Sequence, residues 1–195
     1  MTRLFDIFLS LLGLFVLSPI LALLAFWILL DSKGGVFFKQ TRVGKHGKHF
    51  QLLKFRSMRI DAEKSGQLTV GARDPRITRS GLFIRKYKLD ELPQLINVLK
   101  GEMSLVGPRP EVPKYVALYN ENQQRVLNVK PGITDLASLA YFHENELLAA
   151  SENPEQTYID EIMPAKLELN LAYINNPSLT AYFSVVFKTV LKIIK

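Results

Sequence analysis

The chain opens on an uninterrupted apolar run. From Ile7 to Leu30, 24 consecutive residues (IFLSLLGLFVLSPILALLAFWILL) carry no charge. At about 1.5 Å per residue, a straight helix of that length crosses a hydrocarbon core about 30 Å thick. The run is too long for the apolar centre of a signal peptide, and its leading end holds only Arg3 beside Asp6. Ser18-Pro19 falls at its midpoint, where proline removes a backbone donor and clashes with the preceding turn. Each half has 12 residues, too few to span alone. The Ser18 hydroxyl is suited to satisfy a carbonyl freed at such a kink. Two topologies follow: a kinked span, or a re-entrant helix–break–helix that enters and leaves by one face.

Beyond the run the pattern shortens. Val36–Gln40 and Lys48–Phe55 read as strands, rich in Val and Phe, on either side of a Gly44–Gly47 turn. Residues Asp61–Ser80 are polar, with Gly66, Gly71 and Pro75, and read as a loop. A helix is predicted over Leu92–Leu99, with Pro93 in its first turn and Gly101 at its stop. Helical spacing returns over Glu111–Asn128, before a Pro131-Gly132 turn, and again over Glu144–Ala150 and Pro154–Asn175. In Ser178–Lys195 an apolar stripe (Tyr182, Phe183, Val186, Phe187, Val190, Leu191, Ile194) opposes a row of Lys188, Lys192 and Lys195. That helix either packs on the core or lies in a membrane interface.

Composition sharpens this picture. The 195 residues include no cysteine, which excludes disulfides, thiolate metal sites and a cysteine nucleophile. A mean hydropathy of +0.09 accompanies an isoelectric point near 9.6, and the two properties occupy different segments. Between Asp31 and Lys88 there are 15 Lys and Arg against 4 Asp and Glu, a net of +11 in a chain whose total is +7. A basic block directly after an apolar run suits anionic head groups, a phosphorylated substrate at the membrane surface, and a cytoplasmic location. No zinc-finger, helix-turn-helix or aromatic RNA-binding motif is present, so nucleic acid is not expected as a partner.

The candidate chemistry is narrow. His46, His49 and His143 form no metal-ligand spacing and read as solvated. No nucleophile-elbow serine, Walker loop or dinucleotide fingerprint occurs. What remains is Arg85-Lys86-Tyr87-Lys88-Leu89-Asp90-Glu91-Leu92-Pro93-Gln94, where cations lead into adjacent carboxylates at a predicted helix start. By itself such a pair serves equally to offset a helix dipole. Arg109 lies between Pro108 and Pro110, on a stiff backbone, and its fork of donors suits a phosphate. Lys54-Phe55-Arg56-Ser57-Met58 alternates cation and apolar residues.

Taken in order, these stretches resemble the bacterial sugar transferases, the monotopic phosphoglycosyl transferases that begin glycan assembly on a polyprenyl phosphate. The matching pieces are Ser18-Pro19, Val36–Gln40, Arg42-Val43-Gly44, Lys54–Met58, Asp74–Thr78, Leu89–Leu95, Asn97–Ser104, Gly107–Pro110 and Lys130–Thr134. After Thr134 the chain departs from many members, with Asp135-Leu136-Ala137-Ser138 in place of Gly and a Gln-containing stretch, and Glu144–Glu168 resembles only a subset.

The resemblance implies an α+β, mostly helical fold. A re-entrant membrane helix (residues 1–32), broken at Ser18 and Pro19, would precede a small cytoplasmic catalytic domain (33–195) with interfacial amphipathic helices, the last over 178–195, at the bacterial inner membrane. It implies transfer of a sugar-1-phosphate from a UDP-sugar to a polyprenyl phosphate, with release of UMP. In those terms Asp90 matches the nucleophile that carries a covalent phosphosugar, and Glu91 completes the dyad. Mg²⁺ is held near Asp90, and Lys54, Arg85 and Arg109 meet substrate phosphates. The implied partners are the UDP-sugar, the polyprenyl phosphate and membrane lipid, with self-association into a homo-oligomer left open. Two other classes would look similar: a silent membrane adaptor, and a glycosyltransferase that releases UDP.

Overall fold

The computed structural model describes residues 2–62, 71 and 74–194. The expected loop over Asp61–Ser80 lies partly outside them, Gly66 included, as does Lys195 of the basic row. Helix α1 (Thr2–Asp31) is one element with Pro19 inside it, not two separate halves. The reason is local: the Ser18 hydroxyl donates to the carbonyl of Phe15 at 2.8 Å, the acceptor that Pro19, four residues on, leaves without a donor. By length and composition α1 is the single described helix able to cross a membrane.

Both ends of α1 are fastened to one body. At its start Arg3 donates to the carbonyls of Val98 (2.6 Å) and Leu99 (3.0 Å), a cation on the last turn of α3 (Gln94–Lys100). The buried Asp6 carboxylate accepts from Ser104 Oγ, the Leu105 amide and the Tyr182 hydroxyl at 2.8–3.0 Å. At its other end Leu24 and Ile28 pack with Phe55 and Ile84. There Asp31 accepts from the Ser80 amide and hydroxyl, both at 2.8 Å, in the first turn of α2 (Arg79–Lys86). Between these anchors, residues 11–23 include none that is buried, and Phe15 is 80% exposed.

The strands are few. β1 (Phe37–Val43) and β2 (His49–Phe55) form an antiparallel hairpin with Phe38 opposite Lys54. A short turn at Lys45–Gly47 connects them. β3 (Ser104–Val106) and β4 (Gly132–Thr134) form a parallel pair, so the Pro131-Gly132 turn expected from sequence is where a strand starts. A Cβ on Gly132 would collide with the Gly107 amide nitrogen, so the crossing of these segments requires glycine there.

The helical stretch expected over Glu111–Asn128 is broken into α4 (Pro113–Val116), α5 (Glu121–Gln124) and a 3₁₀ turn at Arg125–Asn128. Asn120 starts α5 afresh with a reciprocal cap to Gln123. Short helices α6 (Leu136–Ala140), α7 (Glu144–Ala149) and α8 (Pro154–Thr157) follow. A π turn at Tyr158–Ile162 leads into α9 (Met163–Asn175). The C-terminal α10 (Leu179–Ile194) packs part of its stripe on the core and leaves part of it exposed. Tyr182 and Val185 are buried against Val106, whereas Phe183, Phe187, Val190 and Leu191 are exposed. Lys192 turns inward, donating to the carbonyl of Leu139 at 2.8 Å. The architecture is α+β and mostly helical, with an apolar N-terminal helix, as expected.

Candidate active site

Asp90 and Glu91 sit in a 3₁₀ turn (Leu89–Glu91), not in the α-helix that begins at Gln94. Lys88 adopts a left-handed conformation (φ 55°) that turns the chain from α2 into this turn. In a 3₁₀ geometry of about three residues per turn, neighbouring side chains diverge by about 120°, and the two carboxylates meet different surroundings. Glu91 accepts from both terminal nitrogens of Arg109, at 3.2 Å for Nη1 and with Nη2 in close contact, and from Lys54 Nζ at 3.3 Å. Asp90, 4% exposed, accepts no hydrogen bond among the described residues and lines the adjoining cleft.

Electrostatics separate the pair further. Burial raises the pKa of Asp90, the charge of Glu91 adds to that, and Lys54 opposes it. Burial also works against ionisation of Glu91, but Arg109 and Lys54 overcome it and hold its carboxyl well below the usual range. The Arg109 guanidinium is held charged, first by Glu91, while burial lowers the pKa of the Lys54 ammonium. One carboxylate is thus a fixed anion clamped by two cations; the other is unpaired, desolvated and directed at the cleft. Adjacent acids with separated titration are a mark of divided chemical roles.

The cleft has a volume of about 890 Å³ and is lined by Lys54, Arg56, Arg85, Asp90, Glu91 and Arg109, among others, a size that takes a small-molecule substrate. The structure therefore brings together Asp90, Glu91, Lys54, Arg85 and Arg109. Lys54 and Arg109 are paired with Glu91, whereas Arg85 is half-buried, makes no ion pair among the described residues and acts on Asp90 through its charge. Ser18 and Pro19 lie elsewhere, on the exposed middle of α1. His46, His49 and His143 are exposed, in agreement with their solvated reading.

Asp135, the departure noted in sequence, has a positioning role. Its carboxylate caps α6 through the Ser138 amide and accepts from the Arg109 amide at 2.8 Å. Asp135→Ala is expected to cost about 1–2 kcal/mol, as loss of a helix cap does, and to loosen the backbone that presents Arg109. Urea denaturation should show the loss, and Asp135→Asn, which keeps only one of the two acceptor oxygens and sets its NH2 against the other amide, should restore only part of it.

Sequence reasoning passed over one wall of the cleft. Arg42 donates to Gln40 Oε1 (3.0 and 2.6 Å) and to the Pro110 carbonyl (3.0 Å), and lies 3.6 Å from Glu111, whose carboxylate also accepts from the Tyr158 hydroxyl at 2.7 Å. Gln40 and Arg42 share one face of β1, a period-two signal that was available. Glu111 and Tyr158, 47 positions apart, gave none.

Among the described residues no three His, Cys, Asp or Glu side chains cluster as a metal cage. Both oxygens of Glu91 are occupied. Of the two adjacent acids only Asp90 has unoccupied oxygens among the described residues, and a single carboxylate would fit a Mg²⁺ ion whose shell substrate phosphates complete.

Comparison with known proteins identifies the family. The chain is 41% identical over 196 residues to the exopolysaccharide production protein PSS of Rhizobium leguminosarum bv. phaseoli, covering 96% of this chain and 92% of that one. It is 37% identical over 195 residues to the UDP-glucose:undecaprenyl-phosphate glucose-1-phosphate transferase of Escherichia coli (96% and 39%). It is likewise 37% identical over 188 residues to the UDP-N-acetylgalactosamine-undecaprenyl-phosphate N-acetylgalactosaminephosphotransferase of Aeromonas hydrophila (95% and 41%). The model of the bacterial sugar transferases matches residues 1–195, and this chain, with its divided carboxylate pair, belongs to that family.

Proposed function

We propose that the protein transfers a sugar-1-phosphate from a UDP-sugar to a polyprenyl phosphate, the reaction class named for its Escherichia coli and Aeromonas relatives. The observation that carries this reading is the unpaired, buried Asp90 beside the cation-clamped Glu91. A diphosphate and a lipid phosphate repel one another, so reaction in two steps avoids bringing both anions together. In the first, an Asp90 oxygen attacks the β-phosphorus of the donor. The bond from that phosphorus to the UMP oxygen breaks, and UMP leaves with the electron pair. In the second, a lipid phosphate oxygen attacks the same phosphorus; the bond to Asp90 breaks, restoring the carboxylate and leaving a lipid diphosphate sugar. Lys54 and Arg109, held by Glu91, and the unpaired Arg85 face the phosphate oxygens on which charge develops. Asp90 would be the protein ligand of a Mg²⁺ ion, which when bound neutralises phosphate charge.

The decisive experiment is incubation with UDP-sugars and undecaprenyl phosphate in Mg²⁺, with the product nucleotide identified. UMP supports the reading. UDP would place the protein with ordinary glycosyltransferases, and no nucleotide product would leave the membrane adaptor.

The anchoring of α1 supports a re-entrant, monotopic topology. A straight 30-residue helix is about 45 Å long, and one that crossed a bilayer would leave its two ends on opposite sides. Here Arg3 and Asp6 at one end and Asp31 at the other bind the same body, while the exposed middle is free to dip into lipid. The basic block after α1 supports a cytoplasmic position for that body. Since the chain lacks cysteine, Thr2→Cys supplies a unique thiol. In intact cells it should resist an impermeant maleimide and react after lysis. Labelling from outside would establish a span instead.

A further inference from the structure

Beyond the dyad, the cleft contains a second cation in an unusual state. Arg56 follows Lys54 by two positions, on the same face of the extended β2 chain, and its amide continues the hairpin ladder by donating to Val36 at 2.9 Å. Its side chain lines the cleft yet is only 7% exposed. One terminal nitrogen donates to the Ser32 carbonyl at 2.8 Å. The guanidinium makes no ion pair among the described residues, and its Nε is buried without a hydrogen-bond partner. The neighbouring Ser32 hydroxyl is also buried and unpartnered. Two buried donors, one of them cationic, are thus unmatched side by side, an arrangement that costs stability unless an anion completes it.

Backbone shape keeps room for this group. A Cβ on Gly34 would overlap the Arg56 guanidinium, and Gly34 has φ +118°, where side chains are disfavoured. Ser32 directly follows the last residue of α1, and Ile60, 60% exposed, lines the cleft beside Gly34 and Arg56.

We propose that Arg56 and Ser32 form a second phosphate subsite, separate from the one at Asp90, which takes the phosphate monoester of the lipid acceptor. This assignment rests on the two-substrate reading above, and it gives the two anions different cations. Lys54 and Arg109, tied to Glu91, serve the donor; Arg56, which has no carboxylate partner among the described residues, serves the acceptor. It also explains why a buried charge is kept that no described carboxylate neutralises.

The test uses the full chain in detergent, with farnesyl phosphate as a soluble prenyl monophosphate, and with farnesol and inorganic phosphate as controls. By calorimetric titration, Arg56→Gln should bind farnesyl phosphate at least tenfold more weakly than wild type, and Ser32→Ala about threefold more weakly. Farnesol should not distinguish the variants. In turnover, KM for undecaprenyl phosphate should rise in both variants, with KM for the UDP-sugar within twofold of wild type. Ser32→Ala should not lower Tm, because it removes an unmatched buried donor, whereas Arg56→Gln also gives up the bond to the Ser32 carbonyl and should lower Tm modestly; a fall in Tm with unchanged binding would make Arg56 a structural residue and overturn the assignment. Equal binding of farnesyl phosphate by wild type and Arg56→Gln would overturn it, as would a KM effect confined to the UDP-sugar. Inorganic phosphate binding that is lost in Arg56→Gln, without any such loss for farnesyl phosphate, would assign the site to free phosphate and overturn the lipid source. The binding arm does not depend on turnover, so a wild-type protein that releases no UMP defeats the catalytic reading while the anion site stands or falls by titration.

Discussion

Asp90→Asn should release no UMP above background while remaining folded. Asn has nearly the shape of Asp but no nucleophilic oxygen of sufficient basicity, and loss of the group that forms the covalent bond typically costs several orders of magnitude. A drop of at least about a thousandfold is expected. Stability should move the other way. The Asp90 carboxylate is buried and accepts no hydrogen bond among the described residues, so its charge costs desolvation that Asn does not incur. The sign with pH follows from the raised pKa. Neutral Asp90 contributes stability that is fully present below the pKa of the unfolded chain and is lost as pH rises through the folded value. Asp90→Asn should therefore match wild type in acid and become the more stable protein toward neutrality. The same ionisation controls turnover, since attack requires the charged form. Substantial UMP release by Asp90→Asn would end the nucleophile assignment.

Glu91→Gln is expected to damage both stability and rate. It removes the anion shared by Lys54 and Arg109, whose side chains are 16% and 31% exposed. Breaking a fully buried pair costs about 3–5 kcal/mol, and partial exposure reduces this to roughly 1–3 kcal/mol. The pKa of Glu91 is depressed, so its contribution is present above the unfolded value and is lost as pH falls through the folded one. The stability gap between wild type and Glu91→Gln should hold steady near neutrality and narrow in acid, the reverse of the Asp90 case. Without the clamp, two long cations sample many rotamers, and a displaced phosphate contact can lower kcat/KM by about a hundredfold. Circular dichroism during urea unfolding at pH 7 and pH 4, with UMP release at pH 7, checks both effects. A variant with wild-type kcat/KM would show that Glu91 does not position the phosphate-binding cations.

These two substitutions also show how unevenly the site was readable. Adjacent acids after a basic run mark Asp90 and Glu91 in one dimension, and the hairpin strands announce themselves by composition and a glycine-bounded turn. The opposite behaviour of the two acids was not written there. Local spacing says that neighbours diverge; it does not say that Lys54, 37 positions away, and Arg109, 18 positions away, converge on one of them. The α-helix expected to begin at the dyad is in fact a 3₁₀ turn, because Lys88 reverses the chain just before it.

The sequence alone determined what depends on neighbours along the chain. That includes an apolar segment long enough for a membrane, the proline at its centre with a serine to repair the lost donor, the basic block after it, and a carboxylate pair before Pro93. Only the tertiary structure decided the properties that depend on distant partners. Asp6 ties α1 to Ser104 and Tyr182, 98 and 176 positions away, which fastens the start of that helix to the body. The short parallel pair of β3 and β4 and the fragmented stretch after Glu111 arise likewise from packing that no local period encodes. Burial and charge pairing, not residue type, separate the unpaired Asp90 from the clamped Glu91 and leave Arg56 without an ion pair among the described residues.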